Sequence, residues 1–190
     1  MTVVAFLPFI AFALLTGPLG ASGALLVAAV LSAVLVLRGW RRGETPKILE
    51  VGTLALFLGI AGFIHLTARA ESIAGVKLAV DIGLLGIVLV SLLVGRPFTL
   101  QYAREQAPRE VWDDPRFVQL NRRITLAWAI AFAIVVLADA LLDFATGIPK
   151  AVGILATVAA IAGAAAYTVR SAKAARARAG RPVAGAGASE

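Results

Sequence analysis

The feature that most constrains the fold is a succession of apolar blocks, each close to 20 residues long and separated by polar segments. The blocks are residues 19–37, 48–66, 77–94, 124–142 and 151–169. About 20 apolar residues in a helix cross the roughly 30 Å hydrocarbon core of a bilayer. Of the 190 residues, 60% are hydrophobic and 15% are charged, against about 25% charged in soluble domains. The sequence therefore predicts an all-α, polytopic transmembrane helix bundle.

A shorter apolar segment, residues 3–15, precedes these blocks and contains Pro8. As a helix it reaches about 20 Å, which is less than the bilayer core. It lacks the positively charged region of a signal peptide. We expect either a short, kinked first span or a re-entrant segment, and hence five or six spans within residues 1–169. Residues 170–190, rich in Ala, Arg and Gly, are predicted to form a disordered basic tail.

The longest polar segment between two apolar blocks is the loop at residues 95–123. Pro97, Pro108 and Pro115 divide it into short pieces, because proline cannot continue a helix interior. We expect this loop to lie on the membrane surface, with its apolar side chains among the lipid headgroups, and to present a docking surface. The candidate docking residues are Arg96, Tyr102, Trp112, Phe117, Arg122 and Arg123.

Basic residues are concentrated in three segments that the predicted topology places on one side of the membrane. Residues 38–47, 95–123 and 170–190 hold four, six and five of the eighteen Lys and Arg. The positive-inside rule makes this side cytoplasmic, and the C-terminus with it. If the first segment spans, the N-terminus is cytoplasmic too. In such a chain the net charge of +7 sets orientation and attracts anionic lipid, so membrane lipids and not nucleic acids are the expected partners.

Short motifs along the chain carry a family resemblance. They are FLPF at 6–9, the basic loop around Trp40, FIH at 63–65, GRPF at 95–98, VW at 111–112, LN at 120–121 and LAWA at 126–129. In these motifs and their order the chain distantly resembles the intracellular septation protein A family. The resemblance implies a multi-pass protein of the bacterial inner membrane, linked to cell-envelope maintenance or cell division, with envelope or division proteins as partners. The resemblance implies no catalytic residue in this chain.

Ionisable residues near the ends of three blocks form a second candidate site. They are His65, Asp81, Asp139 and Asp143, which the topology places at a similar depth near the outer face. A histidine with carboxylates can bind a divalent cation or relay protons. We expect Asp81 and Asp139 to face each other, with His65 near and Lys77 as the nearest counter-ion. The alternative is that all four are hydrated near the headgroups and pair with basic residues.

Several classes of chemistry are not expected from this sequence. It has no cysteine and one histidine, which excludes disulfides, thiolate metal sites and three-histidine zinc sites. No phosphate loop, HExxH or GxSxG motif occurs, so we expect no enzyme, cofactor or resident metal. Two functions stay open. One is a non-catalytic membrane protein acting by protein and lipid interaction, and the other is a small cation- or proton-coupled transporter that uses the outer acidic cluster.

Small residues at near-helical spacing, such as Gly59 with Gly62 and Gly83 with Gly86, predict close contact between helices. Packing within one chain is the simpler expectation, and a homo-oligomer is the alternative.

Overall fold

The computed structural model describes residues 2–67, 72–144 and 149–179. These residues form helices joined by turns, without a strand among them. The α-helices are α1 (Thr2–Ala5), α2 (Leu7–Arg41), α3 (Ile48–Thr67), α4 (Ile73–Leu93), α5 (Phe98–Arg104), α6 (Pro115–Phe144) and α7 (Lys150–Ala179), and a 3-10 turn at Arg109–Val111 precedes α6. Five of them, α2, α3, α4, α6 and α7, are long and apolar enough to cross a membrane. The predicted all-α helical bundle is confirmed.

Helix α2 is a hairpin, because its backbone leaves the helical conformation at Gly20. That residue has φ 69° and ψ 173°, a conformation that essentially only glycine adopts. Phe6 packs edge-on against Phe98, with ring centroids 6.1 Å apart, and Gly39 lies beside Glu50. Phe98 and Glu50 both lie where α5 meets the start of α3. A straight helix would separate Phe6 from Gly39 by about 50 Å, so the chain must fold back between them.

The hairpin gives α2 two arms, residues 7–19 and 21–41. The first arm packs along α3, where Phe9 and Phe12 lie 5.2 and 5.9 Å from Phe57 between ring centroids. Side chains of both arms belong to one core cluster with Phe57. The apolar segment that the sequence places at residues 3–15 is therefore part of a helical arm. This arm extends about 20 Å from the neighbourhood of α5 to the bend at Gly20.

The turns between the long helices define two ends of the bundle. We call the loop end the one that carries residues 42–47 and 94–114. The distal end is the opposite one, where α3 ends, α4 begins and α6 leads into α7. Lys77 near the start of α4 contacts Asp139 near the end of α6, which fixes these two helices as antiparallel neighbours. One candidate site lies at each end.

Three helices extend beyond the predicted spans for local reasons. Helix α4 begins at Ile73 because Ser72 caps it, accepting a 3.0 Å hydrogen bond from the Gly75 amide. Helix α6 begins at Pro115, since proline is favoured in the first turn of a helix. Helix α7 continues to Ala179, where the sequence predicted a disordered tail from residue 170, because Ala and Arg are strong helix formers. Residues 180–190 of that predicted tail lie outside the described residues.

Aromatic stacking joins Phe6, the residue before α2, to α6. The Phe6 ring stacks on Trp128 at 5.3 Å between centroids and lies 5.9 Å from Phe132. The indole nitrogen of Trp128 donates to the Thr168 hydroxyl of α7 over 3.1 Å. Trp128 therefore connects three segments that are distant in sequence, although α7 itself stays at the edge of the bundle with most of its side chains exposed.

Candidate functional site

The loop end is closed by an ordered cap, which we define as residues 96–123. Helix α5 is held to α6 by buried hydroxyl groups. Thr99 donates to the Asn121 carbonyl over 2.8 Å, and its oxygen lies 2.7 Å from the Thr125 hydroxyl. Gln101 accepts a 2.8 Å hydrogen bond from the Ile48 amide, which fixes the cap to the start of α3. The segment predicted as a loop therefore contains α5, a 3-10 turn and the first turns of α6, and its position on a membrane surface stays a prediction.

Lys47, just before α3, is a buried residue at the centre of a partly buried ion cluster beneath the cap. Its Nζ lies 2.7 Å from Glu44 Oε2 and 2.7 Å from Glu105 Oε1, and Glu50 Oε1 is 3.5 Å away. Only 7% of the lysine side chain is exposed. The ammonium also lies 5.3 Å from the ring centroid of Tyr102. One lysine thus joins the 42–47 turn, α3 and α5.

The environment of this cluster shifts the pKa of its members. Burial alone lowers the pKa of the Lys47 ammonium, but hydrogen bonds to Glu105 and Glu44 outweigh burial, and the pKa lies well above its ordinary value. The hydrogen bond from Lys47 holds the pKa of Glu44 below its ordinary value. Burial, followed by the Glu50 carboxylate, raises the pKa of Tyr102. The Tyr102 hydroxyl therefore stays protonated and donates to Glu50 Oε1 over 3.2 Å.

Trp112 is half-buried and packs within the cap, and the contact of its exposed part with lipid headgroups stays a prediction. The guanidinium carbons of Arg104 and Arg109 each lie 5.7 Å from its ring, a cation–π arrangement. Its indole nitrogen donates to the Ala107 carbonyl over 3.0 Å. Arg104 also donates to the Trp112 carbonyl. These contacts make Trp112 a folding element of the cap.

The candidate docking residues fall into three groups. Arg96, Arg122 and Arg123 are exposed, Trp112 and Phe117 are half-buried, and Tyr102 is buried with 3% of its surface exposed. Tyr102 therefore supports the cap from inside and cannot touch a partner. The exposed arginines of the cap that the sequence did not single out are Arg109 and Arg116.

At the distal end, the structure brings Asp81 of α4 and Asp139 of α6 together with Lys77. The Lys77 ammonium donates to Asp139 Oδ1 over 2.5 Å. Asp81 lies one helical turn after Lys77 on α4, and its carboxyl group is near enough to that of Asp139 for the two to interact. Each aspartate has a buried Oδ2 without a hydrogen-bond partner among the described residues. The arrangement brings two carboxyl groups and one ammonium together between two helices that are long and apolar enough to cross a membrane.

His65 and Asp143 are not part of this arrangement. Both are exposed, and His65 lines an apolar cavity of about 200 Å³ between α3 and the second arm of α2, together with Ser22 and Leu25. The described residues contain no group of three His, Asp or Glu side chains positioned to hold a metal ion. The four distal residues that the sequence grouped are thus divided into one contacting pair and two separate surface residues.

No protein-family model, curated protein or solved structure matches the chain.

Sequence reasoning missed most of the Lys47 cluster. Glu44, Lys47 and Glu50 recur every third residue, and a lysine between two acids at that spacing is a signal for local ion pairs. The fourth member, Glu105, is 58 positions after Lys47. It reaches the lysine only because α5 folds back over the start of α3, and neither charge pattern nor hydropathy indicates such a fold.

Proposed function

We propose that this chain is an integral protein of the bacterial cytoplasmic membrane that acts by binding partners through its cap. The observation that carries the proposal is the contrast within the cap. Its inner face is fixed by buried contacts from Thr99, Gln101 and Lys47, whereas its outer face carries exposed arginines. A surface held rigid in this way loses little conformational entropy when it binds.

The outer face carries exposed acids as well, Glu110, Asp113 and Asp114, but its exposed arginines outnumber them and favour acidic partners. Its exposed arginines are Arg96, Arg109, Arg116, Arg122 and Arg123. Guanidinium groups bind carboxylates and phosphates through paired hydrogen bonds. On the cytoplasmic side of a membrane, each basic residue near anionic lipid contributes about 1 kcal/mol of attraction. Anionic headgroups would therefore hold the cap at the surface, and an acidic protein segment would dock on what remains exposed.

The biological setting comes from the family resemblance. The motifs shared with the intracellular septation protein A family support a role in cell-envelope maintenance or division, with proteins of those processes as partners. No catalytic step is assigned, and binding is the proposed activity.

Site-specific photo-crosslinking in cells tests this function. A photoreactive residue replaces Gln119, which is exposed on the first turns of α6. The matched control replaces Ile130, an exposed apolar residue further along the same helix. We expect a discrete protein adduct from position 119 that is absent from position 130 and weakens when Arg122 and Arg123 are changed to Gln. Lipid adducts alone at position 119 would contradict docking of a protein.

A second candidate function, proton- or cation-coupled transport, is favoured by one observation. The neighbouring carboxyl groups of Asp81 and Asp139 lie inside helices apolar enough to span, where ionisable groups are costly and commonly line ion pathways. Proton flux into proteoliposomes, followed with an internal pH-sensitive dye, tests it. Flux that is lost in the double Asn variant but kept in Asp143→Asn would support transport, and absence of flux in the wild type would remove this candidate.

A further inference from the structure

The carboxyl groups of Asp81 and Asp139 carry an inference that the docking proposal does not use. Asp139 is buried, with 9% of its side chain exposed, and its Oδ2 has no hydrogen-bond partner among the described residues. Among the described residues, Asp139 accepts one hydrogen bond, from Lys77 to Oδ1. A buried polar atom without a partner costs about 1–3 kcal/mol, so the free Oδ2 requires an explanation.

The identity of the neighbouring group gives that explanation. Asp81 lies one helical turn from Lys77, the residue that contacts Asp139, and its carboxyl group is a near neighbour of that of Asp139. Asp81 too has a buried Oδ2 without a partner among the described residues. Two carboxylates cannot hydrogen-bond to each other, because every oxygen is an acceptor. A carboxylic acid can donate to a carboxylate. One proton between the two groups would therefore satisfy both buried oxygens at once.

The charge balance leads to the same result. With both carboxylates ionised, the pair carries two negative charges against the single positive charge of Lys77. Like charges this close disfavour double ionisation, as in the carboxyl pair of the aspartic proteases. Adding one proton makes the group of three side chains neutral, which is the state that an apolar environment tolerates.

No other described charge compensates the pair. Three further ionisable side chains at the distal end lie on elements packed against α4 and α6, and all three are exposed: His65, Asp143 and Lys150. The arms of α2 carry no ionisable residue near this end. Arg69 and Glu71 lie outside the described residues.

We propose that Asp81 and Asp139 form a binding site for one proton, held between their carboxyl groups, with Lys77 as the counter-ion of the remaining negative charge. Asp81 carries the proton and donates it to Oδ2 of Asp139, while Oδ1 of Asp139 accepts from Lys77. The proposal concerns binding alone. Transport would require a further step that exposes the pair to the opposite side of the membrane.

A proton fits this site better than a metal cation does. Hard cations take about six or more oxygen ligands, and the described residues supply no third His, Asp or Glu beside the pair. The Lys77 ammonium also occupies the approach to Asp139 Oδ1. A proton needs only one oxygen from each carboxyl group.

Infrared spectroscopy of the full-length protein in lipid nanodiscs tests the proposal. At neutral pH the wild type should show one protonated carboxyl group per chain, identified by its C=O stretch and by the shift of that band in heavy water. The band should disappear in Asp81→Asn, because Asp139 is then free to pair fully with Lys77. It should remain in Asp143→Asn, which removes an exposed acid from the same helix as Asp139. Absence of the band in the wild type, or its persistence in Asp81→Asn, would overturn the proposal.

Two further measurements keep the test independent of folding defects. Lys77→Gln leaves both carboxyl groups in place, and its band should persist to higher pH than that of the wild type, because the cation that favours ionisation is gone. A band lost at lower pH would contradict the assigned role of Lys77. Replacing sodium with N-methylglucamine should leave the wild-type band unchanged. A band that appears only without sodium would show that a sodium ion occupies the site.

Discussion

At the residue scale, Lys47 makes more ionic contacts than any other side chain in the described part of the chain. It is 7% exposed and touches three carboxylates. We expect Lys47→Gln to destabilise the protein by up to about 3 kcal/mol, because removing one partner leaves uncompensated, partly buried charges. Thermal unfolding in detergent, followed by circular dichroism, measures the loss. Arg42→Gln is the matched control, since Arg42 is half exposed and 4.0 Å from Glu44, and it should cost at most about 1 kcal/mol.

The same cluster predicts how stability depends on pH. The pKa of Lys47 is raised on folding, so its contribution is complete below about pH 10 and is lost as pH rises further. The pKa of Glu44 is lowered, so its contribution is present above about pH 5 and is lost as pH falls. Between these two pH values, we expect the contribution of the Lys47 cluster to the free energy of unfolding of the wild type to stay constant. In Lys47→Gln, acidification below about pH 5 should instead stabilise the fold, because protonation relieves carboxylate repulsion. Melting curves across the pH range that show equal acid sensitivity in both proteins would contradict the account.

At the element scale, α3 and α4 approach closely through glycines that receive a large side chain from the partner helix. Gly83 of α4 lies against Leu56 of α3, and Gly52 of α3 lies against Ile87 of α4. A methyl group at Gly83 would overlap Leu56. We expect Gly83→Ala to cost about 1–3 kcal/mol, measured by thermal unfolding in detergent. Gly86→Ala is the control, because nothing lies within 4 Å of a side chain added there.

A compensating change sharpens this test. Shortening the opposite side chain with Leu56→Ala should recover part of the stability lost in Gly83→Ala, since the overlap is then removed. Equal stability of the Gly83 and Gly86 variants would show that the helices are not packed as described.

The element scale also shows what sequence could and could not predict. Apolar blocks located α3 to within one residue at each end, since a bilayer demands a long uninterrupted apolar helix. The predicted span began at residue 124, whereas α6 begins at Pro115. The first turns of α6 carry polar residues, which hydropathy assigns to a loop. The contact of Lys77 with Asp139 could be predicted, because helices joined by one connecting segment, such as α4 and α6, are usually antiparallel neighbours. The contact of Lys47 with Glu105 depends on how the short helix α5 folds over the bundle, and seven residues are too few to give a periodic signal in the sequence.

At the scale of the whole molecule, the bend at Gly20 decides on which side of the bundle the N-terminus lies. With φ of 69°, any residue with a side chain is strained there, at a cost of about 1–3 kcal/mol. We expect Gly20→Ala to destabilise the hairpin and lower the melting temperature in detergent. Gly59→Ala is the control, because Gly59 is helical and nothing lies within 4 Å of a side chain added there. It should be neutral or slightly stabilising. A neutral Gly20→Ala would contradict a fixed bend.

The central claim is that the cap lies on the cytoplasmic surface, where it can meet partners. Because the chain has no cysteine, single cysteines can be introduced and labelled with a membrane-impermeant maleimide in right-side-out and inverted membrane vesicles. The positions are Gln106 in the cap, Thr67 at the distal end and Thr2 near the N-terminus. We predict that positions 106 and 2 are labelled in inverted vesicles only, and position 67 in right-side-out vesicles only. Labelling of position 106 in right-side-out vesicles would contradict the account.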